Sequence, residues 1–381
     1  MNTSEPGWSA SETDVMDTIG TIVEDDREAV LATIVDVEGN AYRRPGAKMV
    51  VTPDGSGVGS ITAGCLEDEV VELARRVLEA GQPRVETYDL MEDDDVWGLG
   101  IGCNGIIDVL LEPIGDDYSP VIDAYETGGA VASLTVLEDG GSRRFERGYY
   151  DPSDGIVPAD GEFEWIDGQT EDTVKELLEG GQSGTISAPD ADRSIDLFVD
   201  TVTAPPELVV LGTGHDVAPI VELASKNDFR VRVIGFRGAD AVAERFPEAV
   251  DVRSTSPSSL REAHEFDDRT SVVVMTHNFL DDRIAIDELL RTPVPYIGLM
   301  GPRNRFEEML EDFVEEGRSV SDDELARVHT PVGLDLGGGS PYQVAHSIVA
   351  ELLAVHNDRT PRHLSEREGP IHRRVSSVTD E

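Results

Sequence analysis

An apolar run that leads directly into a glycine-rich turn constrains the fold of this chain most. Leu208 to Leu211 is followed by Gly212-Thr213-Gly214 and then by a segment with helical spacing. A strand, a tight turn and a helix in this order are typical of parallel α/β sheets, where backbone amides at the turn can receive a phosphate. Three further apolar runs, each followed by a helical segment, lie at Arg230 to Ile234, Ser271 to Met275 and Tyr296 to Leu299. The alternation predicts a doubly wound parallel sheet.

A pair of prolines marks the predicted domain boundary. A chain of 381 residues is too long for one ordinary domain. Pro205-Pro206 favours an extended connector immediately before the first apolar run of the parallel sheet. We therefore assign residues 1–203 to an N-terminal domain, residues 204–357 to a Rossmann-like C-terminal domain and residues 358–381 to a loose polar tail.

The N-terminal domain is predicted to be a small α/β unit. Ser11 to Glu24 spaces apolar residues four apart behind a capping serine, which indicates a helix, and Leu66 to Ala80 indicates a second one. Segments around Asp54-Gly55 predict a hairpin. The expected strands are Ala29 to Val37, Lys48 to Thr52, Gly57 to Ile61, Arg84 to Tyr88 and Ile106 to Leu111. Between residues 122 and 202 we expect strand-like pieces near 130–137, a loop near 151–161 and a helix near 171–178, without a recognisable motif.

Charge restricts the function classes. Asp and Glu total 77 against 31 Lys and Arg, which gives a formal charge of -46. Phosphate backbones need a basic face, so we expect no nucleic-acid partner. The scattered acids and the three lysines indicate adaptation to a salt-rich cytoplasm, as in a halophilic archaeon. A disordered acidic protein is the rival interpretation, but 39% hydrophobic residues oppose it.

Hydropathy and the numbers and spacing of cysteines and histidines also limit where this protein is located and whether it binds a metal. No run approaches the roughly 20 apolar residues of a membrane span, and the acidic N-terminus lacks the features of a signal peptide. We therefore expect a cytoplasmic protein without a membrane partner. Two cysteines are too few for a disulfide framework or a four-cysteine zinc site. His215 and His277, with Asp282 or Asp335, have unspecific spacing, so no metal site is expected.

Both cysteines lie in glycine-rich turns and are candidates for thiol chemistry. Cys65 follows Gly64 at the start of a predicted helix, whose N-terminus favours a thiolate. Cys103 follows Gly102 in a loop before a predicted strand. The alternative for either residue is a buried structural cysteine.

Cations and histidines supply further candidates. Arg43, Arg44 and Lys48 form a basic group that suits an anionic ligand, with surface charge balance as the alternative. His215 and His277 are expected at neighbouring carboxyl ends of parallel strands, where such sheets bind ligands. Gly212, Gly214 and Arg237 are also expected to contact a ligand. The alternatives are glycines that only permit a tight turn and an arginine that is only solvated at the surface.

Ordered motifs along the chain resemble those of the xanthine dehydrogenase accessory proteins, the XdhC/CoxI family. In the N-terminal domain the matches are Arg44-Pro45-Gly46, Gly59 to Glu67 and Gly100 to Gly105. In the C-terminal domain they are Gly212 to His215, Thr276-His277, Asp282, Tyr296 to Arg303, which includes Gly301, Pro331 to Asp335, Pro341, Ala345, Ser347 and Glu351. The chain departs from the family pattern at Ala63, Asn104, Gly235 and Gln343.

The resemblance implies a protein that carries molybdenum cofactor, the molybdopterin cargo, helps to equip it with terminal sulfur and passes it to an apo molybdenum hydroxylase of the xanthine dehydrogenase type. A cysteine desulfurase is the implied sulfur donor. Cys65, Cys103, His215 and His277 would carry the chemistry, and the cations and glycines above, together with Gly301 and Arg303, would contact the cargo. The role that the resemblance implies is that of a cofactor chaperone more than that of a catalyst. An NAD(P)-dependent oxidoreductase and a docking module without cofactor are the alternatives, and a homodimer is compatible with each.

Overall fold

The computed structural model describes residues 7–39, 41–90, 105–138, 143–159, 163–190, 193–237 and 243–368. The chain forms two compact units that divide between Ala204 and Pro205. We refer to them as the N-terminal and the C-terminal domain. Within the described ranges, no helix combines the length and the apolar composition that crossing a bilayer requires.

The first half of the N-terminal domain is a five-stranded antiparallel sheet with two helices. Its elements are α1 (Glu12–Glu24), β1 (Val30–Gly39), β2 (Lys48–Val51), β3 (Gly57–Gly59), α2 (Glu67–Ala80), β4 (Arg84–Asp89) and β5 (Gly105–Pro113). The strand order is β3-β2-β1-β5-β4. The predicted helices, hairpin and strands of this half are confirmed, with ends that differ by a residue or two.

Local hydrogen bonds and backbone conformation explain the start of α1 and the end of α2. The Ser11 hydroxyl accepts a hydrogen bond from the Asp14 amide at 3.1 Å, and the Asp14 carboxylate accepts one from the Ser11 amide at 3.0 Å. Helix α2 ends at Gly81, whose φ of +63° suits a residue without a side chain. Each helix buries one apolar stripe, which contains Val15, Ile19 and Ile22 in α1 and Val70, Ala74 and Val77 in α2.

The second half of the N-terminal domain has the same sequence of elements. They are α3 (Ser119–Thr127), β6 (Ala130–Glu138), β7 (Arg147–Asp151), β8 (Gly155–Pro158), α4 (Gly168–Glu179), β9 (Gly184–Asp190) and β10 (Arg193–Thr203). Their sheet order is β8-β7-β6-β10-β9, again antiparallel. The expected strand at 130–137 and helix near 171–178 are confirmed. The loop expected at 151–161 is wrong over β8, because this short edge strand is stabilised by its pairing with β7 rather than by a pattern of its own.

The C-terminal domain contains a six-stranded parallel sheet in the order β13-β12-β11-β14-β15-β16. Its elements are β11 (Glu207–Leu211), α5 (Val217–Ser225), β12 (Arg230–Gly235), β13 (Asp251–Ser254), α6 (Leu260–Ala263), β14 (Thr270–Val274), α7 (Phe279–Leu290), β15 (Tyr296–Leu299), α8 (Arg303–Glu315), α9 (Asp322–Ala326), β16 (Val328–His329) and α10 (Pro341–His356). The predicted doubly wound sheet is confirmed, and β13 and β16 extend its edges.

Helices cover both faces of this parallel sheet. Alternate residues of β11 point to opposite sides, so Leu208 and Val210 pack with α5 and α10, whereas Val209 and Leu211 pack with α7 and α8. The strand order reverses direction between β11 and β14, which are neighbours in the sheet. Doubly wound sheets bind ligands beyond the carboxyl ends of the strands at this reversal.

Candidate functional site

The turn after β11 is held tightly against the neighbouring strand. Gly212 has a φ of +141°, and a Cβ atom there would lie 2.5 Å from the carbonyl oxygen of Met275. Only glycine therefore fits this position. From the other side, the Arg245 guanidinium donates hydrogen bonds to the carbonyl oxygens of Thr213, at 3.1 Å, and Gly214, at 2.9 Å. Arg245 thus braces the turn of the candidate site, and no motif in the sequence pointed to this residue.

A histidine from the next strand faces this turn. His277 adopts a left-handed conformation with φ of +58°, and its Nε2 lies 3.0 Å from Oδ2 of Asp216. The imidazole is half-exposed, and His215, the residue before Asp216, is exposed. The structure therefore brings both predicted histidines to the edge of one turn, at the carboxyl ends of β11 and β14.

Asp216 changes the expected chemistry of the turn. It immediately precedes α5, and its Oδ1 would lie only 2.4 Å from a Cβ atom on Gly214. A carboxylate thus lies at the helix N-terminus, where a dinucleotide pyrophosphate normally binds. Like charges repel there, so this edge suits a neutral or hydrogen-bonding part of a ligand better than a phosphate.

A buried carboxylate supports the end of β14. Asp282 is fully buried, and its Oδ1 accepts hydrogen bonds from the Thr276 amide at 3.2 Å and the Thr276 hydroxyl at 2.5 Å. Arg305 of α8 pairs with its other oxygen. Burial raises the pKa of Asp282 above its usual value, whereas Thr276 and Arg305 oppose the rise. These contacts hold the residue immediately before His277 in place.

The remaining candidates of the C-terminal domain lie at its surface. Arg237 pairs with the Asp281 carboxylate at 2.7 Å, and β12 ends at Gly235 without an acid that could bind a ribose. Gly301 has a φ of +139° before α8, and Arg303 is 80% exposed, 3.5 Å from Glu307. Both arginines are therefore accessible, and each already has a carboxylate neighbour.

In the N-terminal domain, the loop between β3 and α2 presents Cys65 to solvent as a free thiol. The Thr62 hydroxyl, buried beneath the loop, accepts hydrogen bonds from the amides of Gly64, Cys65 and Leu66 at 3.1 to 3.3 Å. Thr62 in turn donates to the buried Glu67 carboxylate at 2.6 Å, and Glu67 also accepts from the Thr62 amide at 2.8 Å. Buried hydrogen bonds of Thr62 and Glu67 thus hold the loop that carries the exposed thiol, and we call these two residues the support of Cys65. Cys103 and Gly102 lie outside the described residues.

The three cations of the predicted basic group have different surroundings. Lys48 is buried, and its Nζ lies 2.8 Å from Oδ1 of Asp200. The prediction that Lys48 binds an anionic ligand is therefore wrong, because the fold pairs it with an internal carboxylate. Arg43 pairs with Glu12 of α1. Within the described part of the chain, Arg44 has no carboxylate partner. Because no carboxylate among the described residues offsets it, partial burial lowers the pKa of the Arg44 guanidinium. Arg44 is therefore the cation of this group that is best suited to bind an external anion.

Comparison with known proteins gives consistent matches in both domains. The family model described as the XdhC Rossmann domain matches residues 208–352, and that of the XdhC and CoxI family matches residues 22–89. A crystal structure described as a xanthine dehydrogenase from Bacillus halodurans superposes with a TM-score of 0.71 at 28% identity, over 94% of this chain and 98% of that chain.

Two curated relatives extend these matches. A protein of Bacillus subtilis (strain 168), described as a probable xanthine dehydrogenase subunit, is 31% identical over 341 residues, which are 87% of this chain and 94% of that protein. Molybdenum cofactor insertion chaperone PaoD of Escherichia coli (strain K12) is 33% identical over 86 residues, 23% of this chain and 26% of that protein. Because the Bacillus subtilis relative aligns over nearly its whole length, the chain belongs to the XdhC and CoxI family.

Proposed function

We propose that this protein binds molybdenum cofactor as cargo and assists its sulfuration and its insertion into a xanthine dehydrogenase-type enzyme. The names of two relatives, a molybdenum cofactor insertion chaperone and a xanthine dehydrogenase subunit, support this role. The observation that carries the proposal is the loop with the exposed Cys65 thiol on its Thr62 and Glu67 support. The buried polar network fixes the backbone of the loop that carries the exposed thiol.

Thiols suit this cargo. A cysteine thiolate is a soft ligand for molybdenum, and it can hold a transferred sulfur atom as a persulfide. We assign this role to Cys65 and, as the second thiol of the chain, to Cys103. The sulfur donor would be a cysteine desulfurase, and the recipient of the cargo would be the apo form of a molybdenum hydroxylase.

The remaining site residues are assigned by their surroundings. Arg44 would hold an anionic group of the cargo, while Gly64 keeps the thiol loop open with a φ of +106°. In the C-terminal domain, His215 and His277 would meet the cargo above the turn of Gly212 and Gly214. Gly102, Gly301, Arg237 and Arg303 stay candidates for contact with the cargo, whereas Arg43 and Lys48 lie in ion pairs within the domain.

An NAD(P)-dependent oxidoreductase fits this chain less well. The Asp216 carboxylate lies at the N-terminus of α5, where it would repel a pyrophosphate, and Gly235 stands where a ribose-binding acid is expected. No contact among the described residues favours nicotinamide over a pterin. A docking module without cofactor is the other alternative, and the experiment below separates the three.

The test is retention of the cargo by the protein purified in high salt. Wild-type protein is mixed with molybdenum cofactor released from a molybdenum hydroxylase, then desalted, and bound molybdenum and pterin are measured together with nicotinamide. The same measurement is made on Cys65→Ser, which keeps size but is a poorer ligand and nucleophile, and on Ala63→Ser, a control that adds a hydroxyl to the same loop.

We expect molybdenum and pterin with the wild type and with Ala63→Ser, and a large loss with Cys65→Ser. Retention of nicotinamide instead would favour the oxidoreductase. Activation of an apo-hydroxylase without any bound molybdenum or pterin would favour the docking module.

A further inference from the structure

The two halves of the N-terminal domain are structural copies of each other. Both run through helix, three strands, helix and two strands, and both place the first strand of the half at the centre of the sheet. Strand pairing aligns them residue by residue. Thr33 lies opposite Lys48 as Thr135 lies opposite Arg147. Two residues earlier on each central strand, Leu31 lies opposite Glu112 as Ser133 lies opposite Asp200.

Exchanged ion pairs confirm this alignment. Lys48 of the first half pairs with Asp200 of the second, and Arg147 of the second half pairs with Glu112 of the first. Each pair joins the first residue of a second strand to the equivalent acid in the last strand of the other half. The N-terminal domain therefore resembles a dimer of two similar halves in one chain.

The turn before each second strand extends the correspondence to the arginines. Gly46 and Phe145 both have positive φ, +91° and +71°. The next residue in each turn donates a backbone hydrogen bond to an arginine carbonyl, from Ala47 to Arg44 at 3.1 Å and from Glu146 to Arg143 at 3.0 Å. Arg44 of the first half is therefore the counterpart of Arg143 of the second.

The second helix of each half, α2 or α4, shows which residues of the two halves correspond near these arginines. Helices α2 and α4 are followed by Gly81 and Gly181, which both have positive φ. The two helices also bury corresponding positions. These are Val70, Ala74 and Val77 in α2, and Thr170, Val174 and Leu177 in α4. Cys65 and Trp165 each lie five positions before the first of these buried residues, so the two correspond. Counting forward along β4 and β9 aligns Leu90 with Asp190, at the end of each strand.

In the second half, residues of the same half occupy the surroundings of the Arg143 guanidinium. Arg143 pairs with the Asp190 carboxylate, and its guanidinium lies 5.3 Å from the centroid of the Trp165 ring. The carboxylate neutralises the cation and the aromatic ring covers it. In the first half the counterparts are Leu90 and Cys65, which supply neither a charge nor an aromatic ring. Within the described residues, Arg44 accordingly has no carboxylate partner and no ring beside it.

We propose that the first half is the open copy of this position, and that Arg44 binds there a ligand that carries an anionic group attached to a flat aromatic ring. The anionic group takes the place that Asp190 has in the second half, and the ring takes the place of Trp165. This inference rests on the proposed function, because a pterin with a phosphate ester belongs to that chemical class, and it assigns the anion-binding step to the N-terminal domain.

One variant of the test closes the open copy while keeping Arg44 and Cys65, and another removes the cation itself. The alignment of the two halves predicts that Leu90→Asp places a carboxylate beside Arg44, as Asp190 lies beside Arg143. Leu90→Asn is the uncharged control, and Gln82→Glu adds one negative charge at an exposed position elsewhere. Arg44→Gln removes the cation. Full-length protein at constant KCl is titrated with neopterin monophosphate, a fluorescent probe, and separately with neopterin and inorganic phosphate.

We expect neopterin monophosphate to bind more tightly than either part alone. Leu90→Asp and Arg44→Gln should each weaken this binding about tenfold, as expected for loss of one charged hydrogen-bonded contact, and the two controls should not. Equal binding by wild type, Leu90→Asp and Arg44→Gln would overturn the inference, as would equally tight binding of neopterin. Because these titrations need neither molybdenum nor a client enzyme, failure of the cargo experiment alone would leave this site in place and remove only the proposed function.

Discussion

The ammonium group of Lys48 lies 2.8 Å from the Asp200 carboxylate in the interior of the N-terminal domain, and both side chains are almost fully buried. Lys48 also donates a hydrogen bond to the Gly46 carbonyl at 3.0 Å, and Ser183 donates one to Asp200 at 3.2 Å. The pair thus joins β2 of the first half to β10 of the second. Its burial makes it a determinant of how the two halves pack.

Removal of either partner should destabilise the domain. Lys48→Met or Asp200→Leu leaves one buried charge without its partner, which should lower the free energy of unfolding by about 3 to 5 kcal/mol. The double variant should recover most of this loss. All three tryptophans, Trp8, Trp97 and Trp165, lie in this domain, so their fluorescence during chemical denaturation reports its unfolding. Single variants as stable as wild type would show that the pair contributes little.

The support under Cys65 should matter although it contains no thiol. Thr62→Val leaves the amides of Gly64 and Cys65 without their acceptor, while the Leu66 amide keeps the Glu67 carboxylate. We therefore expect a loss of about 1 to 3 kcal/mol in the free energy of unfolding and weaker retention of molybdenum and pterin. Thr62→Ser keeps the hydroxyl and should behave like wild type. Fluorescence unfolding and the desalting assay measure the two effects. If Thr62→Val retained the cargo fully, the loop would not need this support.

Replacement of His277 by glycine is expected to leave the fold intact. Its φ of +58° strains any residue with a side chain, and glycine removes a strain of about 1 kcal/mol while adding a similar entropic cost. His277→Gly should therefore keep the stability of the C-terminal domain within about 1 kcal/mol and lower cargo retention. Hydrogen exchange of peptides from β11 and β14 measures the stability. A drop well beyond this range would mean that the contact with Asp216 stabilises the domain.

Asp282 should give the C-terminal domain a pH-dependent stability. Burial raises the pKa of this carboxyl above its ordinary value of 3.8, so the folded state binds the proton more readily than the unfolded state. The stability that it contributes is therefore fully present below the unfolded pKa and is lost as the pH rises through the folded pKa. Wild type should gain stability relative to Asp282→Asn as the pH falls toward 3.8, the ordinary pKa of this carboxyl. A constant difference between the two proteins, measured by circular dichroism during denaturation, would contradict a raised pKa.

Salt should stabilise both domains. At a formal charge of -46, repulsion between surface carboxylates opposes the compact state. The screening length falls from about 10 Å at 0.1 M salt to about 3 Å at 1 M, and the repulsion falls with it. Thermal unfolding midpoints should rise with KCl. Midpoints that stay the same between low and molar KCl would remove the argument for a halophilic protein.

Traces of the duplicated architecture are present in the sequence but are weak. The end of α2 reads Leu78-Glu79-Ala80-Gly81-Gln82, and the end of α4 reads Leu178-Glu179-Gly180-Gly181-Gln182. A pair of arginines precedes each second strand, Arg43-Arg44 and Arg143-Arg144. Short matches of common residues occur by chance in any chain, so only the shared strand order and register establish the repeat.

The sequence by itself determined the local elements and the parallel sheet of the C-terminal domain. Helical spacing behind Ser11, the turn at Asp54-Gly55 and the strand before Gly212 depend on neighbours within a few residues, so their patterns are visible in one dimension. The family motifs are likewise continuous segments.

The tertiary structure alone decided which charged groups are free. Lys48 and Asp200 are 152 positions apart in the chain, and their pairing depends on how the halves pack. The same holds for Arg44, which differs from Arg143 only in what the fold brings beside it, and for Asp216, whose carboxylate meets His277 from another strand. The physical reason is that long-range contacts arise from the packing of whole elements, and no local pattern of residues encodes them.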